Sequence, residues 1–353
     1  MITINDEKIA LFSDSHFGVR KNNKVFLQRI ISYFTEEAIP YLKEHNISTL
    51  IFLGDFFDNR DNQNVLVKNE VYSLFKHHLN DFRIIMLLGN HDIYYKNTLE
   101  VNSLKFISEF ENVTIIDHIT DIMIGNHKGL LVPWQVDDSI LSRDCSGYDI
   151  CCGHFEINSF YVNKTTKFEH GLSPTFFFNN FKVTFSGHFH LFEDRTIGNS
   201  KIVYVGTQYH LSRHDIETDK GFVVLDTETL EYERVLSKNT IKYITNVWPD
   251  KLTEEETRGN IIDVYVLISD VYDEADVNRY IEQLEKWKPL EINPFPKYNV
   301  NSSGGTVSSK NFKSMEVIVT DYIEQRLEIS DAFKSMTNQY VMELIDRAKK
   351  DKL

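Results

Sequence analysis

Five short apolar runs, each ending in a cluster of glycine, aspartate, asparagine or histidine, constrain this chain more than any other feature. The runs span residues 8–13, 49–53, 83–88, 148–152 and 182–186. Each is about a strand long. Each is nearly continuous in apolar residues, as strands covered on both faces tend to be. Between the first two, Val25, Phe26, Ile30 and Phe34 recur at helical spacing, which predicts a helix ending near Pro40. Strand and helix alternating in this way predict an α/β fold. Residues 201–205 and 221–225 read as further strands, with a turn at 226–229.

The residues at the ends of these runs carry the chemistry. They are Asp14-Ser15-His16, Gly54-Asp55-Phe56-Phe57-Asp58, Gly89-Asn90-His91-Asp92, Gly153-His154 and Gly187-His188-Phe189-His190. Ligand sites of open α/β sheets lie beyond the carboxyl ends of the strands. Taken singly, these motifs say little. Asp-x-His is common, and Gly-Asn-His-Asp suits a turn. His188 and His190, two apart, would share one face of an extended chain and make a polar patch. Together, five separate strand ends carrying only oxygen and nitrogen donors read as a metal site.

Carboxylate, amide oxygen and imidazole suit manganese, iron or zinc rather than a structural thiolate site. Asp14, His16, Asp55, Asn90, His154, His188 and His190 exceed the needs of one ion. Two ions sharing a carboxylate, ~3.5–4 Å apart, can clamp a phosphoryl group. His91 is left over. It either protonates a leaving oxygen or hydrogen-bonds a neighbouring carboxylate.

Composition sets outer bounds. A chain of 353 residues is long enough for two or three units. Its net charge of −14 argues against a broadly basic surface for nucleic acid, although bound divalent ions would add positive charge locally. No apolar run reaches the ~18 residues that suggest a membrane span. The first residues lack the basic segment and apolar core of a signal peptide. The three cysteines include the adjacent Cys151 and Cys152 in an apolar run, which read as reduced core thiols. A cytoplasmic protein is expected.

The motifs, in this order, resemble those of the calcineurin-like metallophosphoesterases. Four longer segments carry a closer similarity, to the SbcD-type DNA repair nucleases and the recombination endonuclease subunits of T-even-type bacteriophages. They are Cys152-Gly153-His154-Phe155-Glu156-Ile157-Asn158-Ser159-Phe160-Tyr161, His170-Gly171-Leu172, Ser186-Gly187-His188-Phe189-His190 and Tyr204-Val205-Gly206-Thr207. The resemblance implies a four-layer α/β fold over residues 1–236, with two packed mixed β-sheets flanked by helices. It implies one ion held by Asp14, His16, Asp55 and His190, and a second held by Asp55, Asn90, His154 and His188. His91 would be the catalytic histidine, and Asp58 would support a ligand histidine. Such nucleases use manganese, with magnesium the second choice. They degrade duplex DNA ends 3′ to 5′, cut single strands internally, and work with an SbcC-like ATPase of the ABC and SMC type. They form homodimers within a heterotetramer, which makes residues 17–23 and 61–79 candidate dimer surfaces. One departure is Gln208, where the family often has proline; it touches no ligand position.

The rest of the chain divides by composition. The pattern loosens over 237–260, and a strand–helix–strand unit comes next, at 261–269, 274–288 and 290–300. Residues 237–300 are therefore expected to be a linker and a small α+β capping domain. A polar, glycine-containing linker covers 301–311. Two amphipathic helices are expected within 312–353. Ile318, Tyr322 and Ile323 form one stripe, and Phe333, Met336, Tyr340 and Leu344 another. Helices this short need something to pack against, and the resemblance makes that the ATPase. A stand-alone phosphodiesterase acting on a small nucleotide or lipid-linked substrate shares the same metal site and is the main alternative. A non-catalytic scaffold is disfavoured because every ligand position is filled.

Overall fold

The site-bearing runs form β1 (Lys8–Phe12), β2 (Thr49–Phe52), β3 (Arg83–Leu87), β4 (Ile150–His154) and β5 (Val183–Gly187). They are divided between two sheets. β1, β2 and β3 are parallel neighbours in a six-stranded mixed sheet, and β4 and β5 are parallel neighbours in a seven-stranded mixed sheet. The computed structural model describes residues 1–134, 139–268 and 274–298, together with Lys334, Val341 and Met342.

Strand periodicity explains why the runs are so uniformly apolar. Successive side chains point to opposite faces. Ala10, Phe12, Leu50, Phe52, Ile84 and Met86 enter an outer core with Phe26, Ile30, Val71 and Phe75 of the covering helices. Ile9, Leu11, Ile51, Leu53, Ile85 and Leu87 enter an inner core, shared with Ile150, Cys152, Val183 and Phe185 of the other sheet. Cys151, Phe177, Ile202 and Tyr204 belong to a third core, on the far side of the second sheet. The order is helix, sheet, sheet, helix, the four-layer α/β architecture expected. Cys145, Cys151 and Cys152 are free and buried. Burial pushes the Cys152 thiol up to about 12, which keeps it protonated and inert.

Several elements differ from the sequence expectation. The helix at Lys24–Ser32, capped by the Asn23 side chain, does not stop near Pro40. A π-helical turn, Tyr33–Ala38, leads into a further helical segment, Ile39–Glu44, with Pro40 in its first turn. A first-turn proline loses no helical hydrogen bond. β4 and β5 run one or two residues further than expected, because their ladder continues to the pair Gly187 and His154. Strands Val113–Ile116, Thr120–Ile124 and His127–Val132 have no counterpart in the sequence expectation.

The stretch read as a loosened boundary contains another strand, Tyr243–Trp248, with Tyr243 and Asn246 buried and Thr245 and Val247 exposed. It pairs in parallel with Ile261–Ile268, which pairs in parallel with Glu291–Tyr298. Pro294 and Pro296 are tolerated because Glu291–Tyr298 is an edge strand. The helix Glu274–Lys286 completes this smaller layer. Two ion pairs tie it to the larger sheets: Arg213 makes a two-pronged contact with the buried Asp263, at 2.6 and 3.0 Å, and Arg20 reaches Glu291 at 3.1 Å. Met1–Tyr298 is one compact unit, and residues 299–353 group separately. The expected linker at 301–311 lies outside the described residues. So does the helical segment at 312–353, apart from Lys334, Val341 and Met342, and with it Ile318, Tyr322, Ile323, Phe333, Met336, Tyr340 and Leu344. Among the described residues, no helix is long and apolar enough to cross a membrane.

Candidate metal centre

The carboxyl ends of the two sheets open onto a shared rim. Each chain must leave its strand abruptly there, and the backbone records this. Asp14, His16, Asp55 and His188 all have left-handed φ, at 50°, 43°, 52° and 90°. Such conformations cost ~1–3 kcal/mol each for residues with a Cβ and persist where the surroundings enforce them. His188 is therefore not on an extended backbone, and it does not share a face with His190 in the way their spacing suggested.

Glycines make the convergence feasible. A Cβ on Gly89 would lie 2.2 Å from Asp55 Oδ1 and 2.3 Å from the Asp55 nitrogen. Gly89→Ala should therefore displace the Asp55 carboxylate and lower metal affinity at least ~10-fold, the scale seen when ligand-orienting contacts are lost. Manganese titration of the variant checks this; wild-type affinity would mean that the loop gives way without moving Asp55.

The side chains fall into two groups that meet at Asp55. Ligand atoms of Asp14, His16 and His190 lie within 4.8 Å of one another, as do those of Asp55, His154 and His188, and those of His16, Asp55 and His91. In the first group, His16 Nε2 and His190 Nε2 are 3.2 Å apart, with Asp14 Oδ1 at 4.0 Å from the former and 3.9 Å from the latter. In the second, Asn90 Oδ1 lies 3.1 Å from His154 Nε2 and 3.0 Å from His188 Nδ1. Asp55 Oδ2 is 3.8 Å from His16 Nε2 and 3.5 Å from His154 Nε2, so one carboxylate faces both groups.

Hydrogen bonding decides what these atoms can accept. His154 Nδ1 donates to the Leu53 carbonyl at 2.7 Å. Its Nε2 is then the acceptor nitrogen of the neutral ring. His188 Nε2 faces Glu156 Oε1 at 3.2 Å, which leaves Nδ1 as its acceptor. His154 Nε2, His188 Nδ1, Asn90 Oδ1 and Asp55 Oδ2 are thus acceptors converging on one point. A cation at that point, or a proton on an imidazole, reconciles them. Their separations of about 3 Å match donors on one ion at ~2.0–2.2 Å. The electrostatics agree. Burial pushes the Asp55 carboxyl up, but the imidazoles of His154 and His16 outweigh it and hold the group well below the usual range. Burial opposes charge on His154, yet Asp55 and Asp14 raise it to about 9, so without a cation the ring takes up a proton at the position a cation would fill.

A family model for calcineurin-like phosphoesterases matches residues 7–192, the stretch that carries all of these side chains. The chain belongs to this family. Exonuclease subunit 1 of Enterobacteria phage T4 is 27% identical over 347 residues, covering 96% of this chain and 98% of its own. The crystal structure of a hypothetical protein from Pyrococcus horikoshii OT3 aligns with a TM-score of 0.37 and 12% identity, over 66% of this chain and 88% of that one.

Further side chains build the phosphoesterase centre. Asp58 Oδ1 lies 3.3 Å from His16 Nδ1. Its carbonyl receives His91 Nδ1 at 2.7 Å, and the His91 backbone N–H donates to Asp55 Oδ1 at 2.8 Å. Asp92 is buried and accepts backbone N–H groups from Gly89, Phe56 and Phe57 at 2.9, 3.1 and 3.2 Å, which locks two site loops together. Burial, reinforced by the charge of Asp55, pushes its carboxyl up to about 7. Gln208 is fully buried; its amide donates to the Ser13 carbonyl and accepts from Ser15 Oγ at 3.1 Å. It supports the first site loop although it touches no ligand. The buried Lys220, paired with Asp215, donates to the His190 carbonyl at 2.8 Å. Trp134 packs its ring 5.3 Å from that of His188 and 5.8 Å from that of His154. Asp92 belongs to the Gly-Asn-His-Asp motif. Gln208, Lys220, Glu156 and Trp134 reach the centre only through tertiary contacts.

Proposed function

We propose that this phosphoesterase is a two-metal DNA nuclease, with Asp55 as the shared carboxylate. The observation that carries the reading is the convergence of acceptor atoms from two sheets on either side of Asp55. Asp14, His16, Asp55 and His190 would hold one ion, and Asp55, Asn90, His154 and His188 the other. Bound divalent ions would neutralise phosphoryl charge and make water a nucleophile at neutral pH. An oxygen- and nitrogen-donor set suits manganese first and magnesium second.

The chain's own groups do the rest. His188 is held by Glu156 and His154 by the Leu53 carbonyl, so their acceptor nitrogens stay aimed at the centre. His91, hydrogen-bonded through Nδ1 to the Asp58 carbonyl, keeps Nε2 for the departing 3′-oxygen. The DNA reading is supported by similarity to a phage exonuclease subunit along nearly the whole chain, not the phosphoesterase stretch alone. We take the activity to be 3′ to 5′ exonuclease on duplex ends together with single-strand endonuclease.

An end-labelled linear duplex incubated with manganese tests this, beside a small phosphodiester and an Asp55→Asn control. Nucleotides released from the duplex by wild type alone support the nuclease. Hydrolysis of the small diester alone, even with the ATPase added, favours a stand-alone phosphodiesterase.

The partner assignment rests on the same relation, because that phage protein is a subunit. Residues 312–353 are proposed to bind an SbcC-like ATPase, with residues 237–300 as the capping domain. A chain truncated after Val300 should lose capture of that ATPase in a pull-down; undiminished capture would refute the assignment. A homodimer is supported by the helix Val65–His77, which exposes Val65 (73%), Leu66 and Tyr72. Phe17 and Val19 of the other candidate surface are buried within the chain.

A further inference from the structure

We propose that a cavity beside the metal centre is a nucleobase subsite, in which Trp134 stacks on an unpaired base and Glu156 accepts a hydrogen bond from the base edge. The inference rests on the DNA reading above and narrows it to the nucleotide next to the scissile phosphate.

The cavity holds about 350 Å³ and is lined by Trp134, Leu141, His154, Phe155, Glu156 and the turn Gly171-Leu172-Ser173. That is room for a base and part of its sugar. His154 belongs both to this lining and to the second ligand group, so the cavity adjoins the centre. A phosphate seated there would carry its neighbouring nucleoside into reach of the cavity.

The lining chemistry selects the base rather than a phosphate. None of these residues is lysine or arginine. Glu156, whose side chain is 40% exposed, presents a carboxylate that repels backbone phosphate and accepts from amino or imino N–H groups. Trp134 and Leu141 supply apolar wall. Trp134 is pinned by its backbone N–H to the Leu88 carbonyl at 2.7 Å and by ring contacts with His188 and His154. A large aromatic side chain only half-buried at a catalytic rim, fixed against the ligand histidines, is placed to hold a flat ring. A base paired inside a duplex cannot reach such a wall, so the occupant must be unpaired.

The test uses wild type, Trp134→Ala and Trp134→Phe. The substrates are single-stranded oligonucleotides, intact or abasic at either nucleotide flanking the terminal phosphodiester, and methyl p-nitrophenyl phosphate. Trp134→Ala should raise KM for the intact strand ~10–100-fold, the usual scale for one lost base–aromatic stack. Wild type should lose a similar factor on one of the abasic strands, and the two losses should not add. Trp134→Phe should recover most of the loss, and because Trp134 also packs on His188 and His154, any loss on the base-free diester should be much smaller than the loss on the intact strand. Additive losses, an equal loss on the base-free diester, or no loss at all overturns the subsite. A wild type that cleaves methyl p-nitrophenyl phosphate but no oligonucleotide overturns the DNA reading itself, and the subsite with it.

Discussion

Replacing Asp55 by asparagine should release both metal ions together and cut DNA hydrolysis by at least ~10³-fold, given the several kcal/mol that bound ions contribute to such a transition state. The expectation comes from position. Asp55 Oδ2 is 3.8 Å from His16 Nε2 and 3.5 Å from His154 Nε2, so it faces both ligand groups. Its other oxygen accepts the His91 backbone N–H at 2.8 Å, which orients the carboxylate and leaves Oδ2 pointing inward. An amide retains one oxygen but loses the charge that offsets two divalent ions. Asp14→Asn makes the contrast: its ligand atoms group with those of His16 and His190, and it touches the other group only by accepting the His188 backbone N–H at 3.1 Å, so it should weaken chiefly one ion. Manganese retained after gel filtration, counted for both variants, decides the matter. A full wild-type ion surviving in Asp55→Asn would show that the carboxylate is not shared.

The centre was legible in the sequence to the extent that its residues sit where strands end. Buried strands must be apolar on both faces, so an abrupt change to Gly-Asp or Gly-His marks the rim of the sheet. That signal located all seven proposed ligands, and the structure brings them together from two sheets. Pairings that arise only through folding were not legible. Glu156 meets His188 from 32 residues away, and Gln208 meets Ser13 from 195 residues away. Nothing local in Lys220 announces that it will clamp the His190 carbonyl. Trp134 is an intermediate case. It lies just past the strand His127–Val132, so it too sits at a strand end on the rim. That strand begins with histidine and lysine, and its apolar part is short enough to pass unnoticed. Tyr243–Trp248 escaped for a related reason: one face is exposed, and Thr245 and Asn246 interrupt the apolar signal.

His91→Ser should leave both ions in place and lower turnover on DNA by ~10²–10⁴, the range for lost proton transfer. His91 differs from the ligand histidines in what holds it. Its Nδ1 is committed to the Asp58 carbonyl at 2.7 Å, its backbone N–H is on Asp55, and its ring stands edge-on to His16 with centroids 4.9 Å apart. That grip fixes the ring while leaving Nε2 unpledged. It is also partly exposed, whereas His16 and His154 are buried. A group that donates a proton to a leaving oxygen must meet the substrate, and partial exposure permits that. Loss of an interaction made only in the transition state lowers kcat and kcat/KM together. The loss should also depend on the leaving group. A deoxyribose 3′-oxygen needs a proton to depart, whereas p-nitrophenolate leaves without one, so the variant should be nearly normal on methyl p-nitrophenyl phosphate. The opposite pattern is equally informative, because the His91 ring also lies within ligand distance of His16 and Asp55. Loss of one ion with an equal drop on both substrates would make His91 a ligand, and the proton would have to reach the leaving oxygen from elsewhere.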